Sequence, residues 1–129
     1  MQTLSPDCDA LRAIETPALV LDHTALERNI SGMASAVRAA GVSLRPHAKT
    51  HKCPEVAKLQ LGAGAVGIAC ATVAEAEAMA AAGITGLLLT TPIMGTDKMS
   101  RIARLNRQPG SAHPAPPRMR LCNGLKPMR

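Results

Sequence analysis

Apolar residues fall in short uninterrupted runs of strand length: ALVL at 18–21, VSL at 42–44, AVGIA at 65–69 and GLLL at 86–89, recurring about every 20 to 24 residues. Helical patterns follow each run. After the first, Thr24 and Glu27 predict a capping box, Leu26, Ile30, Met33 and Val37 mark one apolar face, and Gly41 supplies a stop. The second helix is expected to start at Pro54, where a missing N–H costs nothing, and to turn Val56, Leu59 and Leu61 inward before Gly62. Thr72, Glu75 and Gly83 repeat this grammar in the third, and Met99, Ile102 and Leu105 mark the fourth from Thr96. Strands that alternate with helices imply parallel β-sheet, so the fold class is α/β, with open doubly wound sheets and (β/α)8 barrels both compatible. A whole barrel needs about 250 residues, so on that reading the 129-residue chain supplies less than half. GLLL is then left as an unpaired edge strand, an aggregation hazard unless another chain covers it.

Composition narrows the picture. The chain has no Phe, Trp or Tyr, so its core must be built from Leu, Ile, Val, Met and Ala, and single-stranded nucleic acid finds no aromatic face on which to stack. The net charge of +6 divides unevenly: residues 1–108 hold eleven Lys and Arg against nine Asp and Glu, while 109–129 hold four and none. Cys8, Cys53, Cys70 and Cys122 form no CxxC pair, which predicts reduced thiols rather than a zinc site or disulfide framework. The N-terminal MQTLSPDCDALRAIE is acidic where a signal peptide would be basic, and no apolar run approaches the roughly 20 residues that span a bilayer. A cytoplasmic protein with neither nucleic-acid nor membrane partner is expected.

The densest chemistry lies in RPHAKTHK, Arg45 to Lys52. Four readings compete. It is a solvated loop between strand and helix, an anion site before the helix N-terminus at Pro54, a metal site using His47, His51 and Cys53, or the setting of one reactive lysine. The i,i+4 histidine spacing aligns ligands only on a helix, and Pro46 favours extended chain there. For a nucleophilic lysine the case is local. Arg45, Lys52 and any protonated histidine would destabilise an ammonium at Lys49, and Lys49 lies just past a strand, where βα folds gather function. Thr50 or His51 would then exchange protons with a substrate or hydrogen-bond an imine. Elsewhere, His23 reads as a surface or cap residue, Cys70 as a small core residue, and Met33, Met79 and Met99 as core filler; His113 has no evident partner.

Together TPALVLD, ALERNI, LRPHAKTHKCPEVAKLQLGAGAVGIACATVAEAEAMAAAGI and LLLTT resemble the N-terminal part of the D-threonine aldolase and D-serine dehydratase-like family. These are fold type III pyridoxal phosphate enzymes related to the alanine racemase N-terminal domain, and the resemblance runs from about Ile14 to Asn106. It implies a partial PLP-binding TIM-type barrel with about three barrel strands, the first run, ALVLD, associating with a C-terminal β domain instead. It places the cofactor's Schiff base on Lys49 rather than Lys52, with Arg45, His47, Thr50 and His51 as supporting residues. The implied function is that of a lyase acting on small D-β-hydroxy amino acids, by retro-aldol cleavage or dehydration; in dehydration Lys49 returns as the base at Cα. Full-length members are implied to be homodimers. Phosphate-binding loops and the ligands of a divalent metal belong to later parts of the family pattern and have no counterpart in this sequence, so the chain is expected to be a fragment with impaired activity alone. The competing reading is a non-catalytic remnant or interaction module.

The implied division is an N-terminal extension at 1–13, an incomplete barrel domain at 14–108 and a disordered, Pro-rich basic tail at 109–129. PGSAHPAPPRMRLCNGLKPMR has five prolines in 21 residues and no acid, which matches neither helix nor strand. Its abrupt start inside an amphipathic pattern suggests a changed coding frame near codon 108, which translation of the DNA in its other frames would reveal.

Overall fold

A computed structural model describes residues 11–107. Most of the expected extension, the basic tail with its suggested frame change, and Cys8, His113 and Cys122 lie outside the described residues. The elements are α1 (His23–Ala39), a 3-10 turn (Ala48–Thr50), α2 (Pro54–Gly62), β1 (Ile68–Cys70), α3 (Val73–Ala81), β2 (Leu87–Leu89) and α4 (Thr96–Leu105).

β1 and β2 pair in parallel, with Ile68 opposite Leu87, Ala69 opposite Leu88 and Cys70 opposite Leu89. Along the other edge of β1 runs a third row, residues 44–47. Val66 N donates to Leu44 O at 2.9 Å, Ala69 N to Pro46 O at 2.7 Å, and His47 bridges Ala69 in parallel. The strand expected at 42–44 is therefore displaced toward the basic octapeptide. It is also incomplete, because Pro46 offers a carbonyl but no N–H to a ladder. ALVL at 18–21 forms no strand and lies exposed, Leu19 fully so.

Helix boundaries follow local chemistry. α1 is capped by Asp22, whose carboxylate accepts from Ala25 N at 2.9 Å, so Thr24 lies inside the helix rather than at its cap. Gly41, at φ +67, turns the chain out of α1. Pro54 occupies the first turn of α2 as expected. Thr72 caps α3 by accepting from Glu75 N at 3.1 Å, while Glu75 reaches back to Ala71 N at 2.8 Å, one residue beyond the usual capping-box partner.

The core gathers Ala48, Ala57, Ile68, Cys70, Ala76, Met79 and Ile84, with Leu61, Leu87, Leu89 and Leu105 packed against it. The small alanines Ala57 on α2 and Ala76 on α3 belong to this cluster, which suits a core without aromatic rings. Met79 is core filler as expected. Met33, Leu59 and Met99 are instead exposed, 54%, 37% and 50% respectively. On α1 the buried position is Ala34, one residue along from Met33. No described helix is long and apolar enough to cross a membrane.

α3 lies over both strands and α4 packs on α3. A bidentate pair clasps the two helices: Arg101 Nε donates to Glu77 Oε1 at 2.9 Å and its terminal nitrogen to Oε2 at 2.5 Å. The hydrogen bonds from Arg101 hold the Glu77 carboxyl below the usual glutamate range. A depressed carboxyl contributes stability above its unfolded pKa and loses it as pH falls through the folded value. Arg101→Ala should therefore melt at a lower temperature than wild type near neutral pH, and the two melting temperatures should converge in acid.

Candidate active site

The parallel rows bring three chain segments together just past their C-terminal ends: the turn at 48–51, Ala71 and Thr72 after β1, and Thr90 and Thr91 after β2. Ala48 is wholly buried and pins the turn to the core. Its carbonyl accepts from His51 N at 3.2 Å and Lys52 N at 2.7 Å, and Lys52 takes a left-handed φ of +49 that redirects the chain into α2.

His47 is the junction of the site. Its Nδ1 accepts from Lys49 N at 3.2 Å, and its Nε2 lies 3.1 Å from Thr90 Oγ1. Thr90 Oγ1 also donates to Cys70 O at 3.2 Å, Thr90 N donates to the same carbonyl at 3.0 Å, and Thr91 Oγ1 donates to Ala71 O. Thr50 Oγ1 donates to His47 O at 3.1 Å. Side chains thus tie all three strand ends into one rim.

Lys49 stands exposed on that rim, and its amine makes no hydrogen bond or ion pair among the described residues. The cations expected to crowd it are turned elsewhere. Arg45 lies at the opposite ends of the strands, where its guanidinium donates to Gly86 O beside Gly67. Lys52 Nζ points to Glu75 Oε1, 4.0 Å away. The strand pleat and the left-handed turn separate charges that are neighbours in sequence. His51 also leaves the rim. Its Nδ1 accepts from Cys53 N at 3.1 Å, while its buried Nε2 makes no hydrogen bond among the described residues, and neither does Gln60 Oε1. Burial lowers the His51 pKa, opposed by hydrogen bonding at the Cys53 backbone and by the adjacent Gln60 side chain.

The remaining readings of the octapeptide can be set against this geometry. His47 commits both ring nitrogens and His51 its Nδ1, and no three His, Cys, Asp or Glu side chains gather among the described residues. At the start of α2, where an anion would bind, Glu55 already places a carboxylate that accepts from Cys53 Sγ at 3.1 Å, a contact that lowers its pKa. His23, the first residue of α1, faces Glu27 at 3.6 Å.

Cys70 is fully buried, and burial, with the Glu75 carboxylate second, raises its thiol to about 11. Peptide-resolved alkylation near neutral pH should modify Cys53 well before Cys70. A raised thiol pKa contributes stability below the ordinary value of 9.0 that is lost as pH climbs through about 11. Alkaline titration over that interval should cost on the order of 2 kcal/mol, and Cys70→Ala should flatten the dependence.

Sequence reasoning missed Thr90 and Thr91 as site residues, and it read Glu75 only as a cap. The signal for the threonines was present: two β-branched hydroxyl residues directly after GLLL, at the strand end where βα folds place function.

Residues 21–110 match the alanine racemase N-terminal domain. The chain is 48% identical to 3-hydroxy-D-aspartate aldolase of Paracoccus denitrificans over 94 residues, 71% of this chain and 24% of that protein. It is 41% identical to D-threo-3-hydroxyaspartate dehydratase of Delftia sp. over 100 residues, 78% of this chain and 26% of that protein. The crystal structure of D-threonine aldolase from Filomicrobium marinum superposes with a TM-score of 0.71 at 47% identity, covering 72% of this chain and 25% of that one. The chain spans about a quarter of the length of the curated relatives it matches. Its three parallel rows are part of a (β/α)8 barrel, and the chain belongs to the alanine racemase N-terminal domain family.

Proposed function

We propose that this chain carries the cofactor-anchoring lysine of a pyridoxal phosphate-dependent lyase acting on D-β-hydroxy amino acids. One observation carries the reading: the Lys49 amine is exposed, without a partner among the described residues, on a rim braced by side chains from three strand ends. The donor set fits the group. An aldehyde cofactor requires a primary amine free of a competing carboxylate, and Lys52, three residues on, has Glu75 within 4.0 Å. Lys49 would hold the cofactor covalently. Electron withdrawal from the substrate's Cα is the chemistry the cofactor supplies when bound.

The residues of this chain set the position of that amine. Ala48 fixes the turn in the core, His47 holds the Lys49 backbone, and Thr50 secures the His47 carbonyl. The substrate class rests on the similarity to an aldolase and a dehydratase that act on 3-hydroxyaspartates and to a D-threonine aldolase. These relatives divide between carbon–carbon cleavage and loss of water, so both courses stay within the proposal.

The test is to incubate the chain with pyridoxal phosphate, reduce with borohydride and map the adduct by peptide mass. Labelling concentrated on Lys49 supports the reading; labelling spread evenly over Lys49, Lys52, Lys58 and Lys98 overturns it. Product analysis with D-threonine then separates the courses, cleavage releasing glycine and an aldehyde, dehydration an oxo acid and ammonia.

A further inference from the structure

We infer that Thr90 is a positioning residue that locks His47 in its Nε2–H tautomer, and that the locked imidazole braces the backbone of Lys49 instead of exchanging protons with substrate. The direction of each hydrogen bond follows from donor counting. Lys49 N–H can only donate, so His47 Nδ1, 3.2 Å away, accepts and carries no hydrogen. The neutral ring therefore has its hydrogen on Nε2. Thr90 has one hydroxyl hydrogen, and at 3.2 Å from the Cys70 carbonyl, which can only accept, that hydrogen is committed. Thr90 Oγ1 must then accept from His47 Nε2–H at 3.1 Å.

The result is one directed chain from the Lys49 amide through the imidazole and the Thr90 hydroxyl to the Cys70 carbonyl. Both ring nitrogens are used. His47 has no free site for acid–base work, and its orientation is set by a residue 43 positions away in sequence. The Cys70 carbonyl, which also takes Thr90 N at 3.0 Å, anchors the chain in the sheet. That the brace serves an aldehyde-capturing amine rests on the function proposed above; the brace itself does not.

The experiment is nitrogen-15 NMR of the full chain, reading the His47 tautomer from its ring shifts together with hydrogen exchange at the Lys49 amide. Wild type should show Nε2–H. Thr90→Val, isosteric but without an acceptor, should leave the Nε2–H tautomer held by Lys49 N–H alone and so less completely populated, and should speed exchange at Lys49 roughly two- to tenfold, the range for losing one hydrogen bond. Thr90→Ser should restore both. His47→Asn supplies a second route if Thr90→Val folds poorly: its side-chain oxygen can still accept from Lys49 N–H but cannot reach Thr90, so Thr90→Ser and Thr90→Ala in that background should leave Lys49 exchange unchanged. An Nδ1–H or mixed tautomer in wild type, no response to Thr90→Val, or a continuing effect of Thr90 substitution in the His47→Asn background would each overturn the inference. Cofactor labelling on the same samples keeps the two claims apart. A locked tautomer with no labelling at Lys49 sinks the proposed function and leaves the brace standing; labelling at Lys49 with an unlocked tautomer does the reverse.

Discussion

Gly67→Ala is expected to abolish most of the cooperative thermal transition of the chain. Gly67 precedes β1, and a methyl carbon added there would overlap the Gly86 carbonyl oxygen and the Arg45 guanidinium and come within 2.9 Å of the Gly86 carbonyl carbon. The guanidinium can swing aside, but Gly86 is backbone immediately before β2, itself at φ +68, and cannot retreat without breaking the pairing of β1 with β2. Gly67 also holds φ +153, which a side chain disfavours. Overpacking and backbone strain together put the cost at roughly 3–5 kcal/mol, a large share of the roughly 5–15 kcal/mol that holds a small domain together. Gly32→Ala is the matched control: it lies within α1 with open space around the added carbon, so it should gain roughly 0.5–1 kcal/mol. Circular dichroism melts compare the two. A Gly67→Ala protein that melts like wild type would show that the strands do not approach as closely as described.

The second large effect separates two lysines only three residues apart. Lys49→Ala should remove borohydride-stable cofactor labelling in the octapeptide altogether, whereas Lys52→Ala should retain it near the wild-type level. Lys49→Arg should be as inactive as the alanine variant, since a guanidinium keeps the charge but supplies no nucleophilic amine. The contrast follows from the turn. Ala48 is buried and Lys49 is exposed on the rim, while Lys52, after the left-handed φ, reaches toward Glu75 at 4.0 Å. Equal loss of label in both alanine variants would mean that the two amines act together and that the turn does not discriminate between them.

Much of this was legible in the chain. The alternation of apolar runs with capped helices anticipated β1, β2 and the helices after them because each signal is local: Pro54, Thr72, Gly41 and Gly83 act on their own backbone. What failed was longer in range. Thr24 looked like a cap because of Glu27, yet Asp22 is two residues earlier with a carboxylate that reaches Ala25 N. Met33, Leu59 and Met99 fit helical faces but stay exposed, since periodicity identifies a stripe without saying how much of it is covered. The octapeptide was recognisable by its residues, and its internal geometry was not. Arg45, Lys49 and Lys52 are adjacent in text, but the pleat and one left-handed residue send them to three places. Thr90 was hidden for a related reason, because a contact spanning 43 positions leaves no local periodic trace.

That span has a consequence for the order in which the molecule assembles. The brace on Lys49 joins residue 47 to residue 90, and the Thr90 and Thr91 rungs each close over 20 positions. Such distant closures are entropically costly and form slowly compared with helical turns. A synthetic octapeptide spanning 45–52 would therefore lack the arranged lysine, and a nascent chain would acquire it only once β2 has docked. Readiness of the amine is a late event in folding, reporting that β2 has paired with β1.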